Sequence, residues 1–288
     1  MNIDVLRIAT EQYFWKPNQS FFSALEVEQF VRSGVRLPGP LLDLGSGDGS
    51  FASVLRSVGV LDRVDLSLDL SLAALRQART VSGDNVVQGD ATVLPIKAGA
   101  FASVLANSMI ASVAVHGERA VDQALTEIHR TLAVGGILVF ATPTRRFFDN
   151  LLIPRIWRSL GLPVCADLYV KRLETRLTSY LMWSEDECRA ALEKSGFHVE
   201  LINPFFTPRQ GRWWDVLKLH VFRVFGILKF IDWDVLRRFS SRLQERLFKT
   251  VIIDSAGSAS RDEREQAGYL LVVARKVVTG QGMHSRTH

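Results

Sequence analysis

Cysteine is nearly absent from the 288-residue chain: only Cys165 and Cys188 occur. Two cysteines cannot build a disulfide framework, and these match no close metal spacing. They read as buried thiols in a reducing compartment. The six histidines are scattered, with no His-x-x-x-His pair on a periodic stretch, so no built-in metal site is expected. Met1-Asn2-Ile3-Asp4 is not the start of a basic segment followed by a long apolar run, and no stretch reads as a spanning helix. The expectation is a cytoplasmic protein. Nine Pro, 20 Gly, 47% hydrophobic and 23% charged residues exclude a mainly disordered or fibrous chain. Mean hydropathy, +0.11, is slightly high for a soluble protein, and that excess has a location, given below.

Periodicity gives the first positive signal. Leu41-Leu42-Asp43-Leu44 is a short apolar run, Gly45-Ser46-Gly47-Asp48-Gly49 follows at once, and Phe51, Val54 and Leu55 then recur at helical spacing. That order predicts strand, tight glycine turn and helix, with bare backbone and first-turn amides facing whatever sits above the strand. A dinucleotide fingerprint, Gly-x-Gly-x-x-Gly, would need glycine at Ser50; the third glycine comes one residue early, at Gly49. Asp43, just before the turn, suits a cationic amine better than a pyrophosphate. Val64, Leu66 and Leu68 alternate with Asp65 and Ser67 in a second strand ended by Asp69, and Leu72, Leu75 and Ala78 mark a helix that Ser71 can cap. Asp69 lies 20 residues beyond Gly49, where an acid at a strand tip meets a ribose, and is preferred over mid-strand Asp65.

Residues 85–91 read as a third strand closing on Asp90, which can accept from an exocyclic amine while the Ala91 amide donates to a purine nitrogen. A fourth strand, 101–106, leads to Asn107 and Ser108. A helix over 120–131, a Gly135-Gly136 turn and an apolar fifth strand, 137–141, follow. Such alternation predicts a parallel doubly wound sheet with ligands at the carboxyl ends of its strands.

These segments resemble the motifs of the class I S-adenosylmethionine-dependent methyltransferases, particularly the small-molecule branch. Asp43 to Gly49 resembles the first motif, Asp69-Leu70-Ser71 with the helix to Arg79 the second, and Gly89-Asp90-Ala91 with Leu94-Pro95 and Phe101 the third. Leu132 to Phe140 resembles the "L-x-P-G-G" turn and fifth strand, with Val134 where proline is usual. The resemblance implies a Rossmann-like seven-stranded sheet with helices on both faces, and S-adenosylmethionine as cofactor. It implies Gly45, Gly47 and Gly49 under the methionine part, Asp69 on the ribose hydroxyls, and Asp90 with Ala91 on adenine. Asp43, Ser46, Leu70 and Asn107 complete the expected cofactor set. Two further departures are Ala102 in place of the aspartate usual after Phe101, and Ala111-Ser112 where Glu-His is often read. His116, four residues on, is either a displaced base or a surface histidine. An alcohol acceptor needs a general base, whereas an acidic phenol or enol needs little help; His116, Tyr180 and Glu26 are the candidates, in falling order.

The flanks carry the acceptor expectations. Phe14, Trp15, Phe21 and Phe22 precede a helical pattern over 24–31, read either as a lid over the cleft or as a helix packed on the sheet edge. After Pro143 the chain leaves the sheet pattern. Arg145, Arg146, Tyr169 and Arg176, with Phe14, Trp15 and Phe22, form the expected acceptor set, suited to an apolar molecule with an anionic or polyoxygenated end; the arginines are otherwise a solvated basic loop. Leu151 to Leu160 reads as a short helix, Ser184 with Glu187 as a capping box, and 198–202 and 268–274 as two last strands closing an antiparallel edge.

Between these two strands lies a long helical insertion. Residues 209–249 hold the hydropathy excess and ten Lys or Arg against four Asp or Glu. Three readings stay open for it: a cap or homodimer contact, an anionic membrane surface, and, weakest, nucleic acid, which is not expected as a partner. The expected organisation is an N-terminal helical lid at 1–39 and a core at 40–208 with an acceptor segment at 143–183. The insertion at 209–262 and the last strand with a tail at 263–288 complete it. The expected function is methyl transfer to a small apolar or lipid-linked acceptor, at oxygen by frequency alone, with carbon or nitrogen as alternatives. A non-catalytic protein of the same fold that binds a membrane or partner is the reading from another class, and a dinucleotide oxidoreductase ranks behind it.

Overall fold

The computed structural model describes residues 17–82, 85–113, 116–176, 182–206 and 264–277. Phe14, Trp15, Tyr180 and the 209–262 insertion lie outside these residues, as do the side chains of Phe22 and Arg176. Among the described residues no helix is long and apolar enough to cross a membrane.

Five parallel strands form most of the sheet: β1 (Leu41–Leu44), β2 (Leu66–Asp69), β3 (Val86–Gln88), β4 (Phe101–Leu105) and β5 (Leu132–Pro143). β7 (Tyr269–Lys276) runs antiparallel between β5 and β6 (Phe197–Phe205), giving the order β3-β2-β1-β4-β5-β7-β6. The seven strands and the antiparallel edge are those expected from the sequence. Because strand side chains alternate, successive residues feed opposite cores. Leu41, Val139 and Leu271 pack on one face with α1 (Pro17–Ser33) and α2 (Ser50–Ser57). Leu42, Leu138 and Val272 pack on the other with α4 (Met109–Val113), α5 (Glu118–Thr131) and α8 (Glu185–Lys194). Every residue of β1 is buried, as a parallel strand covered on both faces requires. The remaining helices are α3 (Leu72–Ser82), α6 (Leu152–Ser159) and α7 (Pro163–Arg176).

Three local readings are refined. First, α1 extends well beyond 24–31, and one face of it belongs to the core: Leu25, Val27 and Phe30 are buried, and Phe30 meets Phe51 edge-on at 5.7 Å. This part of the N-terminal segment packs on the sheet, and Glu26 within it also lines the cleft described below. Second, Gly135-Gly136 is not a turn before β5 but a bulge within it. Pairing jumps from Phe101–Leu132 to Ser103–Ile137, and a Cβ on Gly136 would stand 2.9 Å and 3.0 Å from the Ala133 and Ala102 carbonyl oxygens. Third, only one thiol is fully buried. Desolvation pushes Cys188 up to about 12, whereas Cys165 is half-exposed.

The capping box forms as expected: Glu187 N–H donates to Ser184 Oγ at 3.2 Å, and Ser184 N–H to the Glu187 carboxylate at 2.9 Å. Asn150 Nδ2 donates to the carbonyls of Phe206 and Gln266, and Gly268 N–H to that of Phe206. These bonds tie the end of β6 to the start of β7. Tyr269 thereby reaches the edge where the parallel strands end.

Candidate functional site

The carboxyl ends of β1, β2 and β4 open onto a cleft of about 790 Å³, within the range of small-molecule sites. Its floor is the turn Gly45–Asp48. Gly45 and Ser46 N–H donate to the Leu68 carbonyl at 2.7 and 3.2 Å, pinning the turn to β2. Gly45 has φ +72°, and a Cβ there would lie 2.6 Å from Met109 Cγ; glycine is required by conformation and by space. A Cβ on Gly47 would meet nothing within 4 Å, so here bare backbone faces open space.

Asp69, at the tip of β2, is oriented by two backbone donors. Gly47 N–H reaches Oδ2 at 2.9 Å and Ser71 N–H reaches Oδ1 at 2.8 Å. Each oxygen keeps a second lone pair, so the carboxylate is a fixed acceptor. Asp65, its competitor, is occupied elsewhere: it accepts from Leu41 N–H at 2.8 Å and pairs with Arg63 at 2.6 Å. Asp90 Oδ1 accepts from Thr92 N–H and Oγ1, both at 2.8 Å. The backbone donor first, then the hydroxyl, holds Asp90 below the usual carboxylate range.

Glu26 and Asn107 form a second group. Asn107 Oδ1 accepts from Ala141 N–H at 3.0 Å, and Nδ2 donates to Glu26 Oε2 at 2.9 Å. Glu26 is buried, and desolvation raises it to about 7 even against the Asn107 hydrogen bond.

Asp43, Gly45, Ser46, Gly47, Asp69, Leu70, Asp90, Ala91 and Asn107, all named from the sequence, line this one cleft, together with His116 and Glu26. Gly49 does not line it; it stands in the left-handed region as the N-cap of α2. Arg145, Arg146 and Tyr169 are not brought to it. Arg145 pairs with Glu187 at 2.6 Å, Arg146 with Asp149 at 3.4 Å, and Tyr169 is half-buried on α7. Sequence reasoning missed Phe51, Gln77, Met109, Ser112 and Tyr269 as lining residues. The Tyr269 signal was available: the first residue of an antiparallel strand lies at the edge where parallel strands end.

Residues 42–140 match the family model described as a methyltransferase domain. Malonyl-(acyl-carrier protein) O-methyltransferase of Legionella pneumophila subsp. pneumophila is 33% identical over 109 residues, 36% of this chain and 36% of that protein. The enzyme of the same name from Pseudescherichia vulneris is 30% identical over 136 residues, 45% of this chain and 51% of that protein. The chain thus spans between about a third and a half of the length of these curated relatives. A solved S-adenosylmethionine-dependent methyltransferase from Thermotoga maritima, described as a possible histamine N-methyltransferase, shares the fold. Its TM-score is 0.54 at 17% identity, over 92% of this chain and 93% of that one. The matched residues are those that build β1 to β5 and the glycine turn under the cleft: this stretch is similar to a methyltransferase domain, and the chain has the fold of the class I S-adenosylmethionine-dependent methyltransferases.

Proposed function

We propose that the cleft holds S-adenosylmethionine and that the chain transfers its methyl group to a small apolar acceptor. The observation that carries this reading is the direct bond from Gly47 N–H to Asp69, which joins the glycine turn and the strand-tip acid in one wall of the cleft. Such a wall fits the cofactor: bare backbone for the methionine part and an oriented acceptor for the ribose hydroxyls. We assign Asp69 to the ribose and Asp90 with Ala91 to adenine. Leu70 flanks these two, and Asp43, Ser46, Gly47 and Asn107 take the methionine end. When bound, the cofactor supplies a methyl group already activated by its sulfonium. The chain's own task is to align the acceptor, which is worth several kcal/mol, and to take up a proton where the acceptor needs it. His116 and Glu26 both line the cleft and stand as candidates for that proton.

Transfer to oxygen is the first reading, in keeping with the activity named for the curated relatives. A lipid-linked acceptor, membrane contact through 209–249 and a homodimer belong to the same proposal and rest on the sequence. Nitrogen is the second reading, favoured by the carboxyls that line the cleft. Calorimetric titration with S-adenosylmethionine and S-adenosylhomocysteine, with NADH as control, tests the assignment. Both sulfur compounds should bind in the micromolar range and NADH should not. Asp69→Ala should weaken both about 10- to 100-fold, as loss of charge-assisted hydrogen bonds predicts, while leaving the protein folded. Unchanged affinity in Asp69→Ala would remove the ribose assignment.

A further inference from the structure

Glu26 is a buried carboxyl whose acceptor capacity the fold only half uses. Asn107 cannot be turned around: its Oδ1 accepts from Ala141 N–H, which can only donate, so its Nδ2 must face Glu26. Oε2 takes that one bond. Among the described residues Oε1 has no donor, although the side chain is 4% exposed and lines the cleft. Oε1 is not among the side-chain atoms sealed away without a partner, so it is the oxygen left open toward the cleft. Its neighbour Glu28 differs in having a counter-charge: Arg32 on the same helix donates to its Oε1.

The other ionisable side chains facing the cleft are Asp43, Asp48, Asp69, Asp90, His116 and Tyr269. Arg56 lies on α2, the helix packed against α1. We infer that the Glu26–Asn107 pair is an ammonium-binding subsite of the cleft. The inference rests on reading the cleft as a cofactor and acceptor site, and it names the chemistry of one ligand group there. An N–H⁺ donor would satisfy Oε1 with a charge-assisted bond and supply the positive charge that burial withholds from the carboxylate. Since Glu26 without such a partner is raised to about 7, arrival of the ammonium ionises it and a proton leaves to solvent.

Two sources carry this chemistry, the α-ammonium of the cofactor and an amine acceptor, and one experiment separates them. S-adenosylhomocysteine is titrated calorimetrically into the full chain in buffers of different ionisation enthalpy. With the cofactor as source, about half a proton is released per ligand at pH 7 and almost none at pH 8.5, where Glu26 is already ionised. In Glu26→Gln the release vanishes and affinity falls about 10- to 100-fold, while Glu28→Gln binds like the wild type. With the acceptor as source, homocysteine-ligand binding ignores Glu26→Gln. The loaded wild type then releases a proton on titration with primary amines graded from ethanolamine to tyramine, and not with counterparts lacking the amine. The comparison of pH 7 with pH 8.5 needs no variant, so a Gln variant that fails to fold does not block the test. Binding of S-adenosylhomocysteine with no Glu26-dependent release in either arm overturns the subsite and leaves the cofactor reading standing. No binding to the wild type overturns both.

Discussion

Gly45→Ala tests whether the glycine turn and the helix after β4 are one interlocked structure. The added Cβ would stand 2.6 Å from Met109 Cγ, 2.7 Å from its Cβ and 3.7 Å from its Cα. Met109 has little room to retreat, since it is buried with Ile110 and Ala111 beside it in the same helix. Two costs add. A left-handed conformation for an L residue costs about 1–2 kcal/mol, and forcing an atom into a packed contact costs about 1–3 kcal/mol. Together they remove about 2–5 kcal/mol from a stability of order 5–15 kcal/mol, so the variant folds but is markedly weaker.

Companion substitutions separate the two terms. Met109→Ala leaves the Cβ contact at 2.7 Å and should relieve little; Met109→Gly removes both close atoms. Urea unfolding of the four proteins of each double-mutant cycle gives the coupling energy. It should be about 1–3 kcal/mol with Met109→Gly, and clearly smaller with Met109→Ala. The conformational term should persist in both. Since Gly45 and Met109 both line the cleft, affinity for S-adenosylhomocysteine should fall with the single variant. A single variant within about 0.5 kcal/mol of wild type, the ordinary range for a surface change, would refute the argument. So would zero coupling with Met109→Gly.

Stability should also respond to pH through Glu26. Its folded value lies above the ordinary 4.5, at about 7, so between these values the native state binds more protons than the unfolded chain and stability falls as pH rises. Glu26→Gln removes that slope and should stabilise the free protein by up to about 3 kcal/mol above pH 7. Parallel denaturation curves for the two proteins from pH 5 to 8 would contradict this. Thiol labelling gives a second check. At pH 8 the folded protein should take up one equivalent of a thiol reagent at Cys165 and the unfolded chain two, because Cys188 is buried and held protonated. Native labelling at Cys188, read by peptide mapping, would show its surroundings to be more open than the packing between α8 and the sheet allows.

Local patterns made most of the sheet and the cofactor wall readable. β1 to β5 declare themselves by short apolar runs ended by glycine, an acid or proline, or for β4 by Asn107 and Ser108, and the connecting helices by three-to-four spacing. The acids at the strand tips followed, because in a parallel sheet the carboxyl ends share one edge. Nearness along the chain does not decide where the segment after β5 goes. Arg145 and Arg146 follow β5 almost directly, a place that suits either an acceptor's anionic end or a solvated basic loop. Thr144 is bound instead to the carbonyl of Ala267, and its N–H to that of Gly268, so the chain leaves toward β7. Arg145 finds Glu187, 42 residues on, and Arg146 finds Asp149. Only long-range pairing decides such exits. The bulge at Gly135 and Gly136 is illegible for a related reason, since a glycine pair between a helix and an apolar strand looks the same whether it turns the chain or swells a strand.

The carboxyls of the cleft show the same limit in chemical form. In the sequence Asp69, Asp90 and Glu26 are all acids near a strand tip or helix, and nothing local tells them apart. Their surroundings separate them. Asp69 has a backbone N–H on each oxygen, and Asp90 has a backbone N–H and a hydroxyl on one, all supplied by turns that immediately follow or face them. These donors come with the turn and cannot be withdrawn, so both groups are built to accept. Glu26 arrives from a helix on the other side of the glycine turn in sequence, meets one side-chain amide 81 residues away, and otherwise loses water without gaining a charge. Asp90 and Glu26, pushed in opposite directions within one cleft, suit different tasks. The fixed acceptors suit the neutral hydroxyl and amine groups of a nucleoside. The neutral-poised one suits a group that brings its own positive charge or a proton to give up, which is why Glu26, last among the base candidates in the sequence, becomes the carboxyl of most consequence in the folded protein.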